Sequence, residues 1–445
     1  MTAEAAPGTG PKVSPGQSAL THAPMSVFGA AALVAGSMIG SGVYLLPASL
    51  GAVGSISILG WVAATTAALA LAAMFAQLAA VAPQARGVSG YVQAGLGRFF
   101  GVQATVAYWA SCWVGVVAVA LAAAGYLGYL IPALAAAGPR LAATLAVIWL
   151  AVAASWLGPR MVGRVEGFTL VAGLAPVLLV AVVGWLWFDP AVFAHSWNPT
   201  GAGLLGATRS SALTAFWAFL GLECAAAAAG VVRDPARNVP RATLAGVAVA
   251  AALYIGACAV LMGLTPAADL ARSSAPFADA TRATVGVGGA GLIAVCAFLR
   301  AGGCTTGWVL VTSETSREAA DQGAFPAFFR SRPGERASAV NLATTGGLMS
   351  LVAVLTASPT LGSQFSELAN VTVVLSLITY LLAGCSLLRL RSGVDAPRRR
   401  AGAATAVVAI ACAAGLIASA GLKDLALSAI SLLVATILYF ALRRR

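Results

Sequence analysis

The stretch VAGSMIGSGVYLLP, residues 34–47, is apolar enough to lie in a lipid bilayer but is poorly suited to a continuous helix. Its central part, GSMIGSG (36–42), contains three glycines and two serines, and Pro47 follows shortly afterwards. In a helix interior, glycine is about 1 kcal/mol and proline about 3 kcal/mol less favourable than alanine. The composition therefore predicts a membrane span whose helix is interrupted near its middle.

The composition of the whole chain indicates the same environment. Of the 445 residues, 60% are hydrophobic and 9% are charged, and the mean hydropathy is +0.90. Soluble globular proteins carry roughly 25% charged residues. Residues 55–82 hold no charge at all, and about 20 apolar residues suffice to cross the hydrocarbon core. We therefore expect an all-α polytopic membrane protein rather than a β-barrel, whose strands would alternate in polarity.

Twelve spans are predicted, and the positions of the basic residues predict their orientation. Of the 26 Lys and Arg residues, twenty fall on the side that carries both termini and five on the other, while Arg300 lies within a span. Basic residues in short loops stay on the cytoplasmic side. This predicts a multi-pass protein of the inner (cytoplasmic) membrane with both termini in the cytoplasm, and it explains the net charge of +12 without nucleic acid. The spans lie near 26–50, 54–82, 100–134, 141–157, 165–188, 209–232, 241–265, 285–315, 338–357, 366–390, 402–421 and 425–442.

A second interruption is predicted in span 6, at residues 211–230, where Gly221 stands mid-span and Glu223 follows it. Backbone that unwinds within a bilayer must line a cavity or be satisfied by protein, and a half-helix N-terminus attracts a carboxylate. Glycines that only serve close helix packing are the alternative interpretation. Interruptions in spans 1 and 6 favour an inverted repeat with substrate at the midplane, and the acidic residue inside the span indicates function.

Five segments resemble the basic amino acid/polyamine antiporters of the amino acid–polyamine–organocation superfamily, in particular the arginine/agmatine and ornithine/putrescine exchangers. They are GSMIGSGVYLLPASL, YWASCW, FWAFLGLE, AAGVVRDPARNVPRAT and GWVLVTSETSREAADQGAFP. The resemblance covers about residues 26–442. It implies the LeuT-type fold: a 5+5 inverted repeat with helices 1 and 6 unwound mid-membrane, plus two extra helices. The implied division is a disordered tail (1–24), a transport core (25–390, with repeats at about 25–190 and 205–390) and helices 11 and 12 with a basic C-terminus (400–445). Homodimers occur in this family.

The resemblance also implies roles for residues at the two interruptions. Backbone N–H groups around Ser41 and Gly42 would bind the α-carboxylate of a substrate. The carbonyl groups of Met38, Trp217 and Leu220 would bind its α-ammonium group.

The same resemblance implies further roles. Trp308 would stack on the aliphatic part of the substrate, and Tyr108, Glu223 and Tyr380 would form a hydrogen-bonded gate on the cytoplasmic side. The predicted substrate-binding set is Ser37, Met38, Gly40, Ser41, Gly42, Ser111, Cys112, Trp217, Ala218, Leu220, Trp308 and Thr372, and the gating or proton-coupling set is Tyr108, Glu223, Tyr380 and Arg300.

The chain departs from the arginine-transporting members at the end of the pocket. In the arginine-transporting members that this chain resembles, asparagine stands at the position of Ser37. Asparagine and methionine stand at the positions of Val116 and Val119. A buried guanidinium needs hydrogen-bond partners, which two valines do not supply, so arginine is disfavoured as a substrate.

Arg300, eight residues before Trp308, must find a partner within its span. Three candidates stay open: Glu223, a set of helix C-terminal carbonyl groups, and the carboxylate of the substrate. It could brace spans 1 and 8 in place of a sodium ion, form a merely structural pair, or extend to the membrane interface.

The predicted function is secondary transport, most plainly exchange of an amino acid for an amine. A proton-coupled or exchange permease for neutral amino acids is the alternative. We do not expect an enzyme, because the two histidines, His22 and His195, lie outside the spans. The scattered, odd-numbered cysteines suggest neither a metal site nor a disulfide framework, no nucleotide-binding GxxxxGK[ST] loop is present, and no cofactor is expected. The expected partners are a small-molecule substrate and the lipid bilayer.

Overall fold

The structure, a computed structural model, describes residues 26–40, 42–85, 87–223, 235–331, 338–358, 360–390 and 396–443. Across these ranges the regular secondary structure is helical, and no strand occurs in them. The first eight α-helices are α1 (Val27–Met38), α2 (Gly42–Gly51), α3 (Ile58–Val81), α4 (Gly87–Leu96), α5 (Arg98–Leu130), α6 (Ala137–Trp156), α7 (Pro159–Leu178) and α8 (Pro190–His195). They are followed by α9 (Leu204–Phe216), α10 (Pro235–Leu264), α11 (Ala267–Arg272), α12 (Pro276–Asp321), α13 (Ala339–Leu355), α14 (Leu361–Leu390), α15 (Ala396–Ile417) and α16 (Leu422–Arg443).

Local chemistry explains where several of these helices begin. Gly158, at φ +101°, turns the chain into α7, whose first residue is Pro159; proline at this position loses no helical hydrogen bond. Asp189 accepts a hydrogen bond from the backbone N–H of Ala191 at 2.7 Å and so caps α8. Ser338 caps α13 in the same way, through the N–H of Asn341. Such caps satisfy N–H groups that have no partner within the helix.

Nine helical stretches of the described residues are long and apolar enough to cross a membrane, and α2 and α13 are shorter apolar helices. The chain is therefore an all-helical, multi-pass membrane protein. The predicted first span is divided between α1 and α2. Part of the predicted sixth span, residues 224–232, lies outside the described residues. The predicted eighth span (285–315) lies within α12, which kinks at Gly286 and extends to Asp321.

The centre of the bundle is formed by α5 and α12, which pack against each other. α14 covers another side of α5, and α7 covers α12. In the most apolar 18-residue part of α5, 89% of the residues are buried, against 11% in α16. Helix α5 is thus enclosed by protein, whereas α16 presents its apolar side chains at the periphery, where lipid would cover them.

A glycine seam joins α7 to α12. At three levels of this antiparallel pair, the glycine of one helix receives a side chain of the other. A Cβ atom at Gly303 would overlap the Thr169 hydroxyl, and one at Gly307 would lie 2.6 Å from Glu166 Oε2. Small residues allow membrane helices to approach closely. The pairs of the seam are Gly173 with Arg300, Gly303 with Thr169 and Gly307 with Glu166.

We expect Gly303→Ala to lower the melting temperature of the detergent-purified protein by several degrees. The added methyl group has no room against Thr169, and overpacking a core typically costs about 1–3 kcal/mol. Gly302 is the matched control, because a Cβ atom there meets no atom within 4 Å. Gly302→Ala should leave the melting temperature unchanged or raise it slightly. Equal losses for both variants would contradict the packing described for the seam.

Candidate substrate site between two interrupted helices

The first interruption separates α1 from α2. Ile39 donates the last helical hydrogen bond, to the Ala35 carbonyl at 2.8 Å, and the N–H of Gly40 turns back to the Met38 carbonyl at 2.7 Å. Helical geometry resumes at Gly42. The start of α2 therefore offers N–H groups without helical partners. Ser41, a predicted ligand of the substrate, lies outside the described residues.

The second interruption follows α9. A single 3₁₀ turn, Trp217–Phe219, ends at Leu220, whose backbone is extended with ψ 136°. Gly221 then adopts φ +101°, which favours glycine. A Cβ atom on Gly221 would lie 3.3 Å from the Ser37 carbonyl oxygen, and the Ser37 hydroxyl donates to the Gly221 carbonyl at 3.4 Å. The two interruptions are therefore in direct contact.

A cavity with about 560 Å³ of empty space lies beside these interruptions. Its walls come from α1 and α2, the second interruption, α5, α12 and α14. The described residues that line it are Ser37, Met38, Gly40, Gly42, Tyr108, Ser111, Cys112, Gly115, Val119, Trp217, Ala218, Leu220, Glu223, Cys304, Trp308, Thr372, Ser376 and Tyr380.

The structure brings together the predicted substrate-binding residues, with the exception of Ser41. Tyr108, Glu223 and Tyr380 also line the cavity, whereas Arg300 does not. The lining residues that the prediction omitted from its site are Gly115, Val119, Cys304 and Ser376.

The omitted residues carry a signal in their spacing. Ser376 lies midway between Thr372 and Tyr380, and Cys304 precedes Trp308 by four residues. Residues four apart on a helix share a face, so helical spacing from the predicted residues would have found them.

Glu223 lies in the wall of the cavity and accepts three hydrogen bonds. Tyr108 donates to Oε1 at 3.0 Å, Tyr380 donates to Oε2 at 2.6 Å, and the N–H of Gly221 donates to Oε2 at 3.2 Å. The side chain is 8% exposed. A buried carboxylate needs such donors, and here they tie α5 and α14 to the second interruption.

Trp217 lies directly on the interrupted backbone. A Cβ atom at Gly42 would overlap the indole ring, and one at Gly115 would lie 3.3 Å from its far edge. The ring also packs edge-on against Phe365, with centroids 5.6 Å apart. Glycine at 42 and 115 thus gives the indole the space to reach from α2 to α5. Trp308, half-buried on α12, also faces the cavity.

Arg300 is 1% exposed and binds the first interruption from α12. Its Nε donates to the carbonyl of Ile39 at 3.0 Å. Its Nη1 finds no hydrogen-bond partner among the described residues. Of the three candidate partners, the structure therefore shows a carbonyl group at the end of α1, while Glu223 is engaged by the two tyrosines.

The fold and the cavity define a multi-pass membrane transporter. A family model described as amino acid permease matches residues 25–442. The putrescine transporter PotE of Haemophilus influenzae is 34% identical over 79% of this chain and 81% of its own length. PotE of Escherichia coli and the cadaverine/lysine antiporter of that organism are each 34% identical over 82% of this chain and 83% of theirs. The chain belongs to the amino acid permease family of the amino acid–polyamine–organocation superfamily, among its basic amino acid/polyamine antiporters, which confirms the predicted resemblance.

Proposed function

We propose that the protein exchanges an amino acid for an amine across the cytoplasmic membrane. The observation that carries the proposal is the central cavity, which combines a helix N-terminus, carbonyl groups outside regular helix and the carboxylate of Glu223 in one space. The antiport activity in the name of the cadaverine/lysine relative supports it, as does the putrescine transport in the name of PotE.

In this proposal, the amides at the start of α2, including that of Gly42, bind the substrate carboxylate, since helix N-termini favour anions. The carbonyl groups of Met38, Trp217 and Leu220 bind the ammonium group. Each carbonyl oxygen has two lone pairs, so the turn hydrogen bonds at Met38 and Trp217 leave one acceptor free. Trp308 and Trp217 would enclose the alkyl chain. Ser37, Gly40, Ser111, Cys112, Ala218 and Thr372 complete the proposed site.

The gate of Tyr108, Glu223 and Tyr380 would open when a loaded cavity turns towards the cytoplasm. Breaking its hydrogen bonds exposes a carboxylate that can interact with a passing ammonium group. Exchange then requires that the gate close again only around a second substrate.

For the architecture, we propose the twelve-helix LeuT-type fold with repeats at about 25–190 and 205–390. The contact between the interruptions at Ser37 and Gly221 supports this assignment. The distribution of basic residues supports cytoplasmic termini. Dimer assembly stays a prediction.

For Arg300, we propose the role of a fixed cation that braces the interruption of α1 from α12. Its burial and its hydrogen bond to the Ile39 carbonyl support this role. A guanidinium that holds this carbonyl group would remove the need for an inorganic cation at the same place.

A permease for neutral amino acids is the second candidate. Val119, which lines the cavity, supplies no polar partner for a charged side chain, and a fixed cation on α12 would disfavour a substrate with two positive charges.

Counterflow into proteoliposomes tests these proposals. The vesicles are preloaded with putrescine, cadaverine, agmatine, ornithine, lysine, arginine, leucine or alanine, and uptake of labelled putrescine, ornithine or leucine is measured. We expect uptake only with a basic partner inside, and the same rate when choline replaces sodium. Uptake of leucine driven by a pH step alone would favour the neutral permease. Dependence on sodium would contradict the proposed role of Arg300.

A further inference from the structure

A second cavity, with about 430 Å³ of empty space, adjoins the central one. Its walls are the first turn of α4, the beginning of α5 and the end of α12. Most of the side chains that line it are polar, unlike those of the surrounding spans. The described lining residues that carry a hydroxyl or carboxyl group are Ser89, Thr105, Tyr108, Thr315 and Glu318.

The two cavities lie one after the other along α5 and α12, and Tyr108 lines both of them. On α12, the central cavity is lined by Trp308 and the second by Glu318. The ten residues between them correspond to about 15 Å along a helix axis. Tyr108 stands between the cavities and its hydroxyl is held by Glu223. Opening the gate would therefore join the two spaces.

Glu318 gives the second cavity a negative charge. Its carboxylate forms no hydrogen bond or ion pair with another described residue, while the adjacent Arg317 is bound by Glu314 at 2.6 Å and by Asp321 at 2.9 Å. Arg317 also attracts Glu318, but more weakly than it attracts Glu314 and Asp321.

The threonine hydroxyls of this cavity are oriented as acceptors. Thr105 donates to the Gly101 carbonyl and Thr315 to the Val311 carbonyl, each at 2.8 Å. A hydroxyl that has donated its proton still has lone pairs to offer. A carboxylate beside such hydroxyls suits a protonated amine, which brings only donors.

We propose that this second cavity is a vestibule in which Glu318 binds the ammonium group of the amine on one side of the Tyr108 gate. The proposal rests on the proposed exchange function, and with the proposed orientation the vestibule faces the cytoplasm. It assigns to the transporter a second, weaker binding station that concentrates the amine next to the closed gate.

The test uses the full-length chain in right-side-out and in inverted membrane vesicles. The half-saturation concentration for labelled putrescine is measured from each face, with unlabelled putrescine on the other. For Glu318→Gln we expect a three- to tenfold rise when putrescine is added at the face of the vestibule. The half-saturation concentration at the opposite face should stay at the wild-type value. A general loss of structure would change the values at both faces.

Glu314→Gln is the matched control. Glu314 lies about one helical turn before Glu318 on α12 and carries the same charge, but it does not line the second cavity. It should leave both half-saturation concentrations within a factor of two of wild type. Equal changes at the two faces for Glu318→Gln, or an equal effect of Glu314→Gln, would overturn the vestibule alone. Absence of putrescine exchange by the wild-type chain would overturn the proposed function as well.

Discussion

Replacing Glu223 with glutamine is expected to reduce amine exchange to less than a tenth of the wild-type rate. The carboxylate accepts from Tyr108, Tyr380 and the N–H of Gly221. Glutamine places an NH₂ group, itself a donor, against one of these donors. A hydrogen bond to a charged group contributes about 1.5–3 kcal/mol, and each 1.4 kcal/mol corresponds to about a factor of ten. The measurement is the initial rate of putrescine counterflow, normalised to the amount of reconstituted protein.

The control for this prediction is Glu367→Gln. Glu367 also lies on a membrane helix, α14, but its partner is the exposed Lys423 at 2.7 Å. Exposed ion pairs contribute about 0–1 kcal/mol, so exchange should stay near the wild-type rate. Tyr380→Phe removes one hydrogen bond of the proposed gate and should give an intermediate rate. If Glu223→Gln exchanged amine at the wild-type rate, the carboxylate of Glu223 would have no role in the proposed gate.

Replacing Trp308 with alanine is expected to raise the half-saturation concentration for the amine about tenfold or more. In the proposed site, the indole faces the ammonium group and alkyl chain of the substrate from α12. A desolvated cation over an aromatic ring gains about 2 kcal/mol, and the alanine variant also loses the apolar contact. The concentration dependence of exchange in proteoliposomes measures this effect. Trp308→Phe keeps an aromatic face and should recover part of the affinity.

Trp185→Ala is the comparison for Trp308. Trp185 is 48% exposed at the periphery, and its indole N–H binds the Ala181 carbonyl of its own helix turn. The Trp185→Ala variant also loses an indole ring, but one that does not line the central cavity. Its half-saturation concentration for the amine should therefore equal that of wild type. If Trp308→Ala behaved as Trp185→Ala does, the indole of Trp308 would have no contact with substrate.

The interruption of the first span was predictable from the sequence because its cause is local. Glycine and proline disfavour a helix wherever they stand, and GSMIGSG with Pro47 concentrates them within a few residues. The class of membrane protein was predictable for a similar reason, since length and apolarity of a segment decide whether it can span a bilayer.

The contacts between distant segments were harder to predict. Glu223 and Tyr380 are 157 residues apart, and their pairing came from family resemblance rather than from spacing. For Arg300 the sequence left three partners open, and only the packing of α12 against the interruption selects the Ile39 carbonyl. The second cavity had no signal in the sequence, because its walls come from three helices whose approach depends on the whole bundle.

The contact between Gly221 and Ser37 has a consequence for how this sequence can change over evolutionary time. A side chain at 221 would have to adopt the left-handed backbone, at about 1–2 kcal/mol, and would also press on the carbonyl oxygen of Ser37. Neither position can drift alone. A lineage that alters the peptide geometry of one interruption must find a compensating change in the other, so the two interruptions are inherited as a matched pair.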